Sequence, residues 1–188
     1  MRFSSADESL HLELPLGIAR YMRWRSTMAK GKETGGVLIG SYSADLTAAI
    51  VTRATAPPSD SRAGATWFER GTAGVDKLLE DAWSKGLHYL GEWHSHPGGE
   101  AIASSKDETQ MRRIAADKLS RCSTPVLVIL GGQSGEQEIA AYAQSSGSFL
   151  KLSAITGDGK NPVHPGARLT FRTLGAQYGA ILPLGGDP

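Results

Sequence analysis

Residues Leu87 to Asp107 read LHYLGEWHSHPGGEAIASSKD. Leu87 to His96 is rich in apolar and aromatic residues and predicts a strand, and Gly98-Gly99 opens a loop behind it. From Ser104 to Leu119 a helical spacing begins, carried by Met111, Ile114, Ala115 and Leu119. His94 and His96 stand two apart on the predicted strand, so both side chains leave one face, opposite a face assigned to Leu87, Tyr89 and Trp93. A lone histidine is more often a satisfied structural residue, and His11, His88 and His164 are read that way. A pair that ends at Pro97 and a glycine loop is harder to explain by packing, and it reads as a chelate for one ion.

Upstream of this stretch, Leu10, Leu12 and Leu14 alternate with His11 and Glu13 in the period of a short half-buried strand that Pro15 stops. Leu16 to about Ala29 predicts a helix with Ile18, Tyr21, Met22 and Met28 inward, Arg20, Arg23 and Arg25 outward, and Lys30-Gly31-Lys32 as its end. Gly35–Ser41 and Ala48–Ala54 predict an antiparallel hairpin. Residues 57–64 have loop composition, Thr66–Glu69 is strand-compatible, and Val75, Leu78, Leu79 and Ala82 mark a helix between Thr72 and Lys85 stopped by Gly86. Downstream, Thr124–Leu130, Glu138–Ala143 and Ser148–Ile155 read as strands. The order implies an α/β class, with a mixed and largely antiparallel sheet flanked by helices. Trp24, Trp67, Phe68, Trp83 and Trp93 are expected as packing anchors. Residues 1–156 are assigned to one domain. Residues 157–188, rich in Gly and Pro, are set apart as a C-terminal extension, either partly disordered or carrying one strand near Arg168 to Thr173.

Composition narrows the function classes. The chain has 188 residues, with 20 Lys+Arg against 19 Asp+Glu and a formal charge of +1. A binder of nucleic acid driven by a basic face is therefore not expected. With 40% hydrophobic residues, a chain of this size buries roughly 70% of its unfolded surface, enough for one core. Cys122 is the single cysteine, which excludes an internal disulfide and any zinc site built on a cysteine pair. The N-terminal stretch lacks the pattern of a signal peptide, and no apolar run reaches the length of a membrane span. A soluble cytoplasmic protein with no membrane partner is expected.

A third ligand should come from an element folding back over the end of the histidine strand, and Asp107 in the first turn of the following helix fits. Taken alone, Ser104-x-x-Asp107 reads better as a capping box. Beside two histidines the balance changes, because two neutral imidazoles and one carboxylate make the three-ligand set of a catalytic zinc with its fourth position left to water. Such a site also needs a base, and spacing leaves three open: Glu33 just before Gly35-Gly36, Glu92 on the face of the histidines, and Glu100 in the loop.

Glu33-x-Gly35-Gly36, then His94-Ser95-His96-Pro97, six residues, Ser104, two residues and Asp107 resembles the JAMM signature of the JAB/MPN zinc metallopeptidases, in particular the prokaryotic JAB branch. The resemblance runs from about Leu10 to Ile155, with no departure at the motif positions. It implies a JAB1/MPN-like fold with cytidine-deaminase-like layering, and Zn2+ held by His94, His96 and Asp107. It further implies Glu33 as general acid and base, with Ser104 as hydrogen-bond donor to the developing oxyanion. By the same resemblance neither Cys122 nor a serine is a nucleophile, and Glu92 becomes a residue supporting the ligands from behind.

The activity so implied is that of an isopeptidase cutting after the C-terminal Gly-Gly of a ubiquitin-like modifier or its conjugate. Similar deconjugases stand in antiphage operons, including CBASS, beside E1/E2-like proteins. An extended tail adding as a strand to an edge near the ion, lined by the loop from Ala56 to Trp67, is the expected binding mode. Two other readings compete: a RadC-like JAMM protein with a nucleic-acid-related role, against which the near-neutral charge weighs, and a non-catalytic MPN scaffold, against which the full ligand set weighs. A nucleoside deaminase would need a cysteine pair that one cysteine does not supply.

Overall fold

The computed structural model describes residues 1–133 and 136–155. In chain order the elements are β1 (Arg2–Ser4), β2 (His11–Glu13), α1 (Leu16–Met28), β3 (Gly35–Tyr42), β4 (Ala48–Ala54), β5 (Arg62–Ala63) and β6 (Phe68–Glu69). These are followed by α2 (Val75–Ser84), β7 (His88–Pro97), α3 (Ser105–Ala116), β8 (Val126–Gly132), β9 (Glu138–Ser145) and β10 (Ser148–Ala154). The C-terminal extension and the strand expected near Arg168 lie outside the described residues, as does His164. No helix among the described residues is long and apolar enough to cross a membrane.

The α/β class with a mixed, mostly antiparallel sheet is what forms. The pairs β2/β4 and β7/β8 are parallel and the remaining pairs antiparallel. The sheet does not end in two edges. It closes as a barrel in the order β1-β10-β9-β8-β7-β3-β4-β2, while β5 and β6 pair with each other as a separate hairpin. Closure depends on β1, a three-residue strand too short to show periodicity, which pairs with both β2 and β10.

Alternation along the strands sorts the apolar residues into three cores. Phe3, Leu12, Leu38, Val51, Leu90, Trp93, Val128 and Leu152 share the central cluster with Ala19 and Met22 of α1. Met111 and Ile114 of α3 pack on Leu127, Ile129 and Tyr142, and Val75, Leu79 and Ala82 of α2 pack on Val37 and Ile39. The helices therefore lie where their apolar stripes require.

Five sequence expectations need correction. Met28, expected to face inward from α1, is 55% exposed. Tyr89 does not share a face with Trp93, because Leu38 pairs with Gly91 while Ile39 pairs with Tyr89, leaving Leu90 as an extra residue in β7. This bulge resets the alternation, so Leu90 and Trp93 both turn into the central core while Tyr89 packs against the outer clusters. Trp24 and Trp67 are 53% and 43% exposed rather than packing anchors. Leu119 lies beyond the helix cap at Asp117. Arg23 does not simply face solvent, since it donates to the Gln137 carbonyl at 3.0 Å.

Candidate metal centre

The site forms at the end of β7 because three segments are tied to it. Gly35 pairs with His94, and the Ser95 amide donates to the Thr34 carbonyl at 2.8 Å. Glu33 is thereby held beside the histidines. A side chain at Gly35 would meet the Trp93 carbonyl at 2.3 Å and the His94 Cβ at 2.9 Å, so this close approach requires glycine. On the other side of β7, the Gly132 amide donates to the Gly99 carbonyl at 2.6 Å and the Gly98 amide to the Gly132 carbonyl at 3.0 Å. This turns the loop back, and α3 begins at the Ser104 cap.

The ligand atoms of His94, His96 and Asp107 all lie within 4.8 Å of one another. His94 Nε2 is 3.0 Å from His96 Nε2 and 3.6 Å from Asp107 Oδ1. Two bonds of the usual zinc–imidazole length meeting at a tetrahedral ion would separate their nitrogens by roughly 3.3 Å. The proton positions suit the same end. His96 Nδ1 faces the Glu100 carbonyl at 2.9 Å and must donate to it, which leaves Nε2 with its lone pair turned inward. Burial pushes the His94 imidazolium down to about 4, so this ring is neutral at neutral pH. Two lone-pair donors and a carboxylate oxygen fit a divalent cation such as zinc.

The two readings of Ser104 and Asp107 are both satisfied, by different oxygens. Ser104 Oγ and the Ser104 amide each donate to Asp107 Oδ2 at 2.7 Å, and the Asp107 amide donates back to Ser104 Oγ at 3.2 Å. This is a complete capping box. Asp107 Oδ1 is the oxygen turned to His94. The Ser104 hydroxyl proton is thus engaged by the aspartate, and donation to a substrate oxygen needs the hydroxyl to rotate.

A cleft of about 340 Å³ joins Glu33, His94, His96, Ser104 and Asp107, with Trp67 and Phe68 among its other walls. Glu33 is buried to 9% exposure, and burial, reinforced by the nearby Asp107 carboxylate, raises its carboxyl above the usual value. The other candidate bases are placed elsewhere. Glu92 accepts from Arg70 Nε at 2.8 Å and from the Tyr89 hydroxyl at 3.3 Å. Glu100 contributes its carbonyl to His96. Lys106, between the Ser104 cap and Asp107, also lines the cleft. Among the described residues the closed barrel offers no open edge for the expected strand addition, and the separate β5–β6 hairpin carries the unpaired strand edges beside the cleft.

Residues 15–143 match the family described as prokaryotic homologs of the JAB domain. The chain belongs to this family. The JAB match spans every residue placed around the cleft. A protein named CD-NTase/cGAS isopeptidase from Enterobacter hormaechei is 47% identical over 116 residues, covering 61% of this chain and 64% of the relative. A protein of the same name from Pseudomonas aeruginosa is 31% identical over 104 residues, covering 54% of this chain and 63% of the relative. The aligned part is thus less than two thirds of either relative. A solved structure from Desulfitobacterium hafniense superposes with a TM-score of 0.57 at 18% identity, over 74% of this chain and 88% of that one. It shares the fold of this JAB domain.

Proposed function

We propose that this JAB-domain chain is a metal-dependent isopeptidase that hydrolyses the amide between the C-terminal residue of one protein and an amine of another. The observation that carries the reading is the convergence of His94, His96 and Asp107 with a buried carboxylate, Glu33, in one cleft. In it, His94, His96 and Asp107 hold Zn2+. A divalent cation bound there supplies Lewis acidity toward a carbonyl oxygen and acidifies water.

The chain's own groups perform the proton transfers. Glu33 takes a proton from the attacking water, whose oxygen bonds to the carbonyl carbon, and returns it to the nitrogen as the C–N bond breaks. Its raised affinity for a proton, caused by burial, suits both steps. Ser104, released from Asp107 Oδ2 by rotation, donates to the developing oxyanion. No covalent enzyme intermediate is needed. Cys122 is buried with its thiol pushed up to about 12, and takes no part.

The relatives' shared name supports a conjugate of a CD-NTase/cGAS protein as substrate. The JAMM pattern supports the second reading, a ubiquitin-like modifier ending in Gly-Gly. With either substrate, we further propose E1/E2-like proteins upstream and antiphage defence as the setting. The test incubates zinc-loaded protein with a CD-NTase/cGAS protein joined through its C-terminus to a lysine, and in parallel with a fusion following a Gly-Gly terminus. Mass spectrometry then identifies the new ends. Cleavage is expected to stop on chelation and return with zinc. Glu33→Gln should keep its metal and lose about 10²- to 10⁴-fold in rate, whereas His94→Ala should lose both. Full turnover after verified metal removal would overturn the reading.

A further inference from the structure

The wall of the cleft formed by Ala65, Thr66, Trp67 and Phe68 belongs to the β5–β6 hairpin, which is not part of the barrel sheet. A two-stranded hairpin with two residues per strand does not hold its own position, so its anchors decide where the wall stands. At its tip the Gly64 carbonyl accepts from the Glu33 amide at 2.8 Å, and the Gly64 amide donates to the Trp67 carbonyl at 2.9 Å. At its base Ser61 Oγ accepts from the Gly71 amide at 2.9 Å. These are ordinary loop bonds.

The Asp60 carboxylate likewise accepts from the Thr72 and Ala73 amides at 3.0 and 2.9 Å, but one further anchor differs in kind. Arg70, the first residue after β6, reaches Glu92 of β7 with Nε at 2.8 Å from Oε1, and donates through a second nitrogen to the Gly71 carbonyl at 2.9 Å. The two side chains are only 11% and 12% exposed, and the Tyr89 hydroxyl also donates to the carboxylate. Burying a charged pair stabilises a fold no better than apolar residues of like size would. What such a pair adds is direction, because a guanidinium satisfied at two nitrogens accepts few alternative placements. Glu92 stands two residues before His94 on the same outward face, so the pair couples the hairpin to the ligand strand.

We propose that Arg70 and Glu92 are a positioning pair that sets the Ala65–Phe68 wall against the strand carrying His94 and His96, and thereby sets the width of the cleft that admits the substrate tail. For its kinetic consequence the proposal rests on the isopeptidase reading. For its structural consequence it does not.

The test compares wild type with Glu92→Gln, Arg70→Met and the double variant, each as full-length zinc-loaded protein. In the single variants, amide exchange over residues 62–69 should accelerate at least about tenfold while β8 and α3 stay protected. With the cleaved conjugate, KM should rise about tenfold, kcat should change less than about threefold, and metal content should not change. The double variant removes the lone buried charge left in Arg70→Met or Glu92→Gln and should recover melting temperature, yet keep the fast exchange and raised KM. If it recovers wild-type exchange and KM, the pair merely balances charge and the proposal falls. Loss of metal in Glu92→Gln would also overturn it, since Glu92 would then act on His94. Should Arg70→Met not fold, Arg70→Lys, which keeps the charge but loses the bond to Gly71, is expected to give an intermediate exchange rate, and a wild-type rate would refute the proposal. If wild type cleaves neither conjugate, the isopeptidase reading fails while the exchange experiment still decides the pair.

Discussion

At the residue scale, Asp107 shows how one side chain serves two ends. Its Oδ2 closes the capping box with Ser104 and its Oδ1 faces His94. Sequence could state both readings but not reconcile them, because the two oxygens of a carboxylate are one letter in a sequence. Substitution of Ser104 separates the roles. Ser104→Gly keeps a tolerated cap, at a cost of a few tenths of a kcal/mol, while Ser104→Ala costs about 1 kcal/mol. Both lose the hydroxyl that holds Asp107, so metal affinity should fall about 10- to 100-fold in each. Urea unfolding and metal titration measure the two effects. Wild-type affinity in Ser104→Gly would show that the hydroxyl does not orient the ligand.

At the element scale, β7 explains why the histidine face was legible and the rest of the strand was not. From Glu92 to His96 strict alternation holds, and His94 and His96 converge as two-residue spacing requires. Before Glu92 the extra residue Leu90 breaks the count, and the local signal of it in LHYLGEWHSH is Gly91, because an isolated glycine within a strand often marks a bulge. Gly91 makes the bulge possible, with φ of 144° and a virtual Cβ 1.9 Å from the Val126 carbonyl oxygen. Gly91→Ala should therefore destabilise by about 3 kcal/mol, combining backbone strain with a clash against a neighbouring strand. Denaturant unfolding checks this. A change within about 0.5 kcal/mol, the range of an ordinary surface substitution, would mean that the strand accommodates a side chain there.

At the scale of the whole molecule, burial of titratable rings makes the metal-free protein sensitive to acid. His88 and His94 both sit below the ordinary value of 6.5 because burial penalises the charged ring, His94 at about 4. At these two rings the unfolded chain takes up protons first as pH falls through 6.5, so the folded state binds fewer there, and their contribution to stability rises with pH across that window, against the opposite contribution of Glu33. Metal-free protein should accordingly need less urea to unfold at about pH 5 than at about pH 7, and His88→Gln should narrow the difference. Greater stability at the lower pH would contradict this account. The sequence by itself determined the α/β class, most of the barrel strands, the three helices and the residues of the candidate centre, because periodicity, caps and two-residue spacing are local properties of the chain. Only the tertiary structure decided that the sheet closes through β1 and that Arg70 finds Glu92, and it brought Glu33, already implied by the family resemblance, into the cleft beside the histidines. Those outcomes depend on which distant segments meet, and pairings between distant residues leave no periodic trace along the chain.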